Sequence, residues 1–155
     1  MKVLSAVLIA GLTCVSLAGP ARAFTFAPKS AGFTATGSVV IAKPTGQINC
    51  GMTAKGFTTA IGTAKITAAS FTPGVAACAN TAAQGLPWPA KAVGAGKGKI
   101  AHVSLIGAFT GACGPAVVPI TVSGAGVWAF SNASLPGGCK ISGSLHTTPH
   151  ITVVP

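Results

Sequence analysis

The sequence predicts an all-β protein, built as a two-sheet antiparallel β-sandwich with Greek-key or jelly-roll connections and about eight strands. Apolar and polar residues alternate over many short runs, as half-buried strands require. Glycine and proline separate these runs, and the chain contains 21 glycines and 11 prolines. No segment shows the 3.6-residue apolar period of an amphipathic helix.

The start of the chain is typical of an export signal. Lys2 supplies a positive charge, residues 3–17 form an apolar core, and Ala21-Arg22-Ala23 fits a cleavage site. The apolar run is too short and too interrupted to predict a membrane span. We therefore expect a signal peptide over residues 1–23 and a single secreted domain over residues 24–155, with no transmembrane segment after cleavage. The mature protein is expected outside the cell or at the cell surface, with the periplasm as an alternative.

Eight runs of alternating residues are predicted to form strands. In chain order they are residues 33–42, 48–58, 62–71, 100–109, 117–122, 127–132, 139–145 and 151–154. In the run that begins at Cys139, Ile141 and Leu145 share one face while polar residues alternate with them, which indicates a strand with one buried side.

The segments between these runs have distinct compositions. Residues 59–62 and 123–126 are short and contain glycine, so they predict antiparallel hairpins. Residues 72–99 are rich in Gly, Pro and Ala and are expected to form the main irregular connection. Within them, GAGKGK at 94–99 lacks the full pattern of a phosphate-binding loop, which favours a flexible cationic loop. Pro119 lies inside an apolar run and indicates a strand edge or a bulge.

Large apolar side chains suitable for the core are few. Those expected between the two sheets are Phe33, Phe57, Phe71, Phe109, Phe130 and Trp128. Trp88 lies between two prolines in the stretch Leu-Pro-Trp-Pro. Its ring is interpreted either as an apolar contact for a hydrocarbon or a glycan face, or as a plug at one end of the sandwich. We favour the plug.

Four cysteines remain after removal of the signal, and an even number in an exported chain predicts two disulfides. They are Cys50, Cys78, Cys113 and Cys139. Of the three possible connectivities, we favour Cys50 with Cys78 and Cys113 with Cys139, because each pair encloses a similar run of strand, turn and strand. Each closed loop would stabilise the fold by roughly 3–4 kcal/mol. The close C-x-x-C spacing of metal sites is absent.

The charge balance is one-sided. The chain has no Asp or Glu and a formal net charge of +10, and eight lysines remain after residues 1–23 are removed. Such a field attracts anionic cell-surface polymers. The lysines are scattered along the sequence and no aromatic stripe accompanies them, so we favour a solubilising and edge-protecting role. Specific nucleic-acid binding is not expected.

The absence of carboxylates excludes several kinds of site. Paired-acid glycosidases, acid-oriented Ser–His triads and ordinary calcium or magnesium sites all need Asp or Glu. His146 and His150 have the spacing of a metal pair on a helix, but Pro149 and the alternating pattern indicate a strand end. His102 is expected to be a partly exposed strand residue. We assign no catalytic, cofactor-binding or metal-binding residue, and the protein is not expected to be an enzyme.

Four stretches of the chain form a recognisable set. They are FTATGS at 33–38, GLPWP at 85–89, CG at 113–114 and NASLPGGCKISGSL at 132–145. Together they resemble the small secreted bacterial proteins called activators of alkane oxidation, and the resemblance extends over most of the mature chain. The resemblance implies an extracellular accessory protein that promotes the use of insoluble hydrocarbons, and it carries over no catalytic residue.

These observations lead to two main functional hypotheses. The first is a non-enzymatic accessory protein at the cell surface or the hydrocarbon–water interface, with a hydrophobic substrate surface as its partner. The alternative is a structural subunit of an extracellular or biofilm matrix or a surface fibre, in which subunits add edge to edge. A third possibility is a cationic protein that binds an anionic cell-surface polymer.

Overall fold

The computed structural model describes residues 23–72 and 75–155, so the predicted signal peptide lies outside the described residues apart from its last position. The described residues form eleven strands and one helical turn. These are β1 (Thr25–Ala27), β2 (Gly32–Lys43), β3 (Gly46–Thr58), β4 (Ala64–Thr72), α1 (Ala76–Ala79), β5 (Thr81–Gln84), β6 (Trp88–Gly94), β7 (Lys97–Gly107), β8 (Gly111–Val122), β9 (Val127–Leu135), β10 (Cys139–Thr148) and β11 (Thr152–Val154).

The large sheet closes on itself. Its strand order is β5-β7-β6-β4-β3-β2-β10-β9-β8, and a further pairing between β7 and β8 joins eight of these strands into a closed antiparallel β-barrel. The predicted all-β class is confirmed, whereas the predicted two-sheet sandwich is wrong. Inward and outward side chains alternate in both architectures, so the residue pattern cannot distinguish them. The difference lies in the β7–β8 pairing.

Two glycines allow β2 and β10 to approach each other closely. A Cβ atom at Gly37 would collide with the carbonyl oxygen of Ser144, and one at Gly143 would collide with that of Ser38. A side chain at either position would therefore push the two strands apart. This close contact helps the long strands to curve around the barrel.

Strand β7 pairs with three other strands. Along one edge, its first residues pair with β6 and its last residues pair with β5, while β8 lies along the other edge. His102 lies between the two partner segments and has a φ of 61°, and the β7–β8 register shifts between Ile100 and Val103. This irregularity lets a single strand change partners along its length.

Strands β1 and β11 form a separate two-stranded ribbon at one end of the barrel, which we call the base. The Phe26 ring stacks on the Trp128 indole with centroids 5.1 Å apart. Trp128 Nε1 donates a hydrogen bond of 3.2 Å to the carbonyl oxygen of Ile151. All three side chains are buried, so the ribbon packs directly on the barrel core.

Each of the eight predicted strands overlaps an observed strand, and the predicted hairpins at 59–62 and 123–126 join β3 to β4 and β8 to β9. The prediction for residues 72–99 is wrong over much of its length, because α1, β5, β6 and the start of β7 lie there. The stretch 94–99 is a tight hairpin between β6 and β7, with Gly96 at a φ of 59°, rather than a loop. The prediction missed these strands because they are rich in Ala and Gly, which have low strand propensity.

Candidate functional site

The barrel interior is an apolar core. Its cavity has a volume of about 40 Å³ and is lined by apolar side chains that include Phe33, Leu105 and Trp128. For comparison, an apolar cavity that binds benzene has a volume of roughly 150 Å³. The interior in this conformation is therefore too small to carry an alkane, and a functional surface must be sought on the outside.

Trp88 is part of this core. Its side chain is 2% exposed, lines the interior cavity, and donates a hydrogen bond of 2.7 Å from Nε1 to the carbonyl oxygen of Gln84. This environment agrees with the plug interpretation, with the barrel taking the place of the sandwich. An apolar contact between Trp88 and an outside partner stays a prediction. The burial of the side chain makes such a contact less favourable than the plug.

The cysteines brace the fold away from the base. Cys50 is joined to Cys78 and Cys113 to Cys139, with Cα–Cα distances of 5.6 and 5.8 Å. This is the connectivity that the sequence favoured. The first disulfide ties α1 to β3, and the second ties β8 to β10, so both fasten segments that ladder hydrogen bonds alone would hold less firmly.

The histidines lie on the surface of the barrel. His102, His146 and His150 are all exposed. Over residues 23–72 and 75–155, no group of three or more His, Cys, Asp or Glu side chains is placed to hold a metal ion. In the same two ranges, no helix has the length and apolarity needed to cross a membrane.

The base carries an exposed apolar surface, which we call the base patch and define as Phe57, Ile61 and Val154. These side chains are 41%, 76% and 36% exposed. Val154 pairs with Thr25, which packs against Gly62 beside Ile61. Phe57 lines a depression of about 430 Å³ at the same hairpin. Bulky apolar side chains thus gather at one end of the molecule.

The hairpin that presents the base patch is held firmly. The Thr58 hydroxyl is buried, donates to the carbonyl oxygen of Pro28 at 2.6 Å, and accepts from the amide of Ala31 at 3.0 Å. The amide of Phe26 donates to the carbonyl oxygen of Gly62 at 2.7 Å. Because both ends of the hairpin are tied to the N-terminal segment, Ile61 is presented on an ordered support.

Five lysines form a second exposed surface on the outer face of β3, β4, β6 and β7, which we call the lysine face. Its members are Lys55, Lys65, Lys91, Lys97 and Lys99. Lys91 and Lys99 lie directly opposite each other, and Lys65 lies opposite Phe57 of the base patch. Two like charges directly opposite each other, as at Lys91 and Lys99, destabilise the pairing of their strands. The lysines are scattered in sequence but gathered by the fold. The solubilising and edge-protecting role predicted from the sequence stays a prediction.

Sequence reasoning misplaced one member of the base patch and did not single out the others. Phe57 was expected in the core, but it faces outward. Strict alternation from the buried residues Ile48 and Cys50 puts even-numbered positions of β3 inside and Phe57 outside. Ile61 lies in the turn between β3 and β4, where the sequence predicted a hairpin, and a residue in such a turn is expected to be exposed.

The comparisons with known proteins agree with the resemblance seen in the sequence. Neither a curated protein nor a solved structure matches the chain significantly. The family model described as alkane oxidation protein activator PraA/PraB-like matches residues 1–155. The match spans the whole chain and supports an accessory role in alkane oxidation in general. This protein is a member of the PraA/PraB-like family of alkane oxidation protein activators.

Proposed function

We propose that this protein is an exported, non-enzymatic accessory protein that acts where cells meet insoluble hydrocarbon. The observation that carries the proposal is the base patch, in which Phe57 and Ile61 are exposed together at one end of a cross-linked barrel. Exposed apolar patches of this kind are typical of interaction sites. Family membership supports the connection with hydrocarbons.

Charge supports the same arrangement. Lys65 lies opposite Phe57, and Lys29 is next to Ser30, which lines the same depression. An apolar end flanked by cations suits a boundary between oil and an anionic cell surface, because the apolar side chains contact hydrocarbon while the lysines attract anionic polymers. The exposed side chains thus provide a contact for each side of the boundary.

Three features support the location and the non-enzymatic character. Two disulfides are typical of oxidising compartments, and the first residues of the sequence are typical of an export signal. No side chain of this chain supplies a carboxylate. The proposed activity is therefore contact and recruitment rather than bond cleavage.

The test uses an alkane-degrading host in which the gene is deleted. We expect slower growth on hexadecane, unchanged growth on a water-soluble carbon source, and restoration when purified folded protein is added to the medium. Purified protein alone should leave the amount of hexadecane unchanged by gas chromatography. The proposed site of action would be contradicted if growth on hexadecane were restored only by protein that is made without its signal and stays inside the cell. Consumption of hexadecane by the protein alone would contradict the non-enzymatic role.

A structural matrix subunit remains a second candidate because some strand edges are free. Strand β5 ends the order of the large sheet, and β1 and β11 form a ribbon of only two strands. Closure of the barrel gives most strands a partner on both sides, which makes edge-to-edge growth less favourable. Filaments seen by electron microscopy at increasing protein concentration would favour this candidate, and a monomer at every concentration would exclude it.

A further inference from the structure

The barrel wall has a weakly paired seam between β8 and β9. The two strands pair only at Thr121 with Ala129 and at Val122 with Trp128. Farther from the base, the β8–β9 ladder does not continue, whereas β9 continues to pair with β10. Proline at position 119 fits this arrangement, since the sequence predicted a strand edge or a bulge at that residue.

Phe130 lies beside the seam. It is paired with Gly143 on the inward side of β9, yet its side chain is only partly buried. It lines both the interior cavity and an outer groove of about 400 Å³ that runs over β6, β7, β8 and β9. We call this outer groove the seam groove. An aromatic ring that belongs to the core is thus accessible from outside.

The seam groove combines apolar walls with two cations. Val93, Pro119 and Phe130 provide apolar surface, and Lys97 and Lys99 line the same groove. The two lysines lie two positions apart on β7, so both point to its outer face. The chain has no acidic side chain to neutralise them. The groove therefore offers apolar contact and uncompensated positive charge to one ligand.

We propose that the seam groove binds a long-chain carboxylate, with the carboxylate at Lys97 and Lys99 and the hydrocarbon chain along Pro119 and Phe130. A neutral alkane would leave both lysines without a partner, and a small inorganic anion would leave the apolar walls exposed to water. A volume of about 400 Å³ lies within the usual range for small-molecule sites. A chain with one anionic end is complementary to both parts of the groove.

This inference is independent of the proposed function. The base patch lies on the β3–β4 hairpin and the terminal ribbon, whereas the seam groove lies on β6 to β9 and shares no lining residue with it. Loss of carboxylate binding would leave contact with hydrocarbon intact, and loss of the base patch would leave carboxylate binding intact.

The experiment is calorimetric titration of the full mature protein with hexanoate, octanoate and decanoate below their micelle concentrations. Affinity should rise about threefold to fourfold for each added methylene, since each buried CH₂ contributes a constant increment. Decyltrimethylammonium, which has a tail one carbon longer and the opposite charge, should bind at least about tenfold more weakly than decanoate.

The site is tested with matched charge variants. The double variant Lys97→Gln and Lys99→Gln should weaken decanoate binding about tenfold. The control, Lys55→Gln and Lys65→Gln, removes the same charge outside the groove and should change the affinity less than about twofold at physiological salt, where distant charges are screened. Circular dichroism should show all variants folded.

Four results would overturn the proposal. They are the absence of decanoate binding, an affinity independent of tail length, equal binding of the cationic amphiphile, and equal loss of affinity in the two double variants. The last would mean that the carboxylate responds to net charge rather than to the seam groove.

Discussion

Replacing the apolar side chains of the base patch should release the protein from hydrocarbon. The informative variant is Phe57→Ser combined with Ile61→Ser, because both side chains lie on the β3–β4 hairpin and both are exposed. Neither contributes a hydrogen bond to the supporting network around Thr58 through its side chain. The substitution therefore removes apolar surface and leaves that hydrogen-bond network in place.

The expected size of the effect follows from exposure. Full burial of a large apolar side chain is worth about 1.5–3 kcal/mol. Ile61 is 76% exposed and Phe57 is 41% exposed, so contact with oil gains about 1–2 kcal/mol from the first and roughly half that from the second. A total of about 1.5–3 kcal/mol corresponds to a loss of roughly 10- to 150-fold in the partition coefficient.

The assay is cosedimentation with a hexadecane emulsion at fixed droplet area, with the free protein measured over a range of concentrations. The matched control is Ile106→Ser combined with Val117→Ser, because these side chains are 40% and 56% exposed but lie outside the base patch. The control should partition within about threefold of the wild type, since isolated exposed apolar residues are common on protein surfaces.

The reasoning is refuted if both double variants lose partitioning equally, because adsorption would then reflect total apolar surface and not an oriented contact. It is refuted as well if the base variant partitions like the wild type. Urea denaturation of each variant shows whether a loss has arisen from unfolding instead.

Three further predictions concern stability, each measured by urea denaturation. Cys50→Ser with Cys78→Ser should lower the free energy of unfolding by about 3–4 kcal/mol, because the disulfide spans a sequence separation of 28; an unchanged midpoint would contradict this constraint on the unfolded chain. Trp128→Ala should cost about 3–5 kcal/mol, since the indole is buried and stacked by the terminal ribbon, and a cost below about 1 kcal/mol would mean that the ribbon does not rest on it. Gly37→Ala should cost roughly 1–3 kcal/mol through its collision with β10, whereas Gly124→Ala, with open space around its Cβ position, should change stability by less than about 0.5 kcal/mol.

Much of the strand content could be predicted because alternation is a local property. The runs that became β2, β3, β4, β7 and β10 contain Val, Ile, Thr and Phe at period two, and such runs identify themselves as strands. Strand β6 was missed because Pro89, Ala90 and Gly94 have low strand propensity, and its pairing with β4 and β7 comes from the tertiary fold. Closure of the barrel was missed for a related reason. Lys97 and Thr121 are paired across β7 and β8, but no pattern in the sequence indicates this pairing.

The surfaces were harder to predict than the strands. Alternation could place Phe57 outside, as counting from Cys50 shows, but no local pattern indicates that Lys55, Lys65 and Lys91 share one outer face. That proximity depends on the strand order β3-β4-β6-β7. The seam groove likewise depends on how far two ladders extend, which is a property of the assembled barrel.

The pairing of β1 with β11 has a consequence for the order of folding. The partner of Thr25–Ala27 is the last described strand, Thr152–Val154, so a ribosome must make every residue between them before the first strand can pair. Until then Phe26 has no paired strand, and the Trp128 indole is not yet covered by the ribbon of β1 and β11. Contacts between such distant segments form slowly. A newly synthesised chain would thus complete its base only after its last strand has emerged.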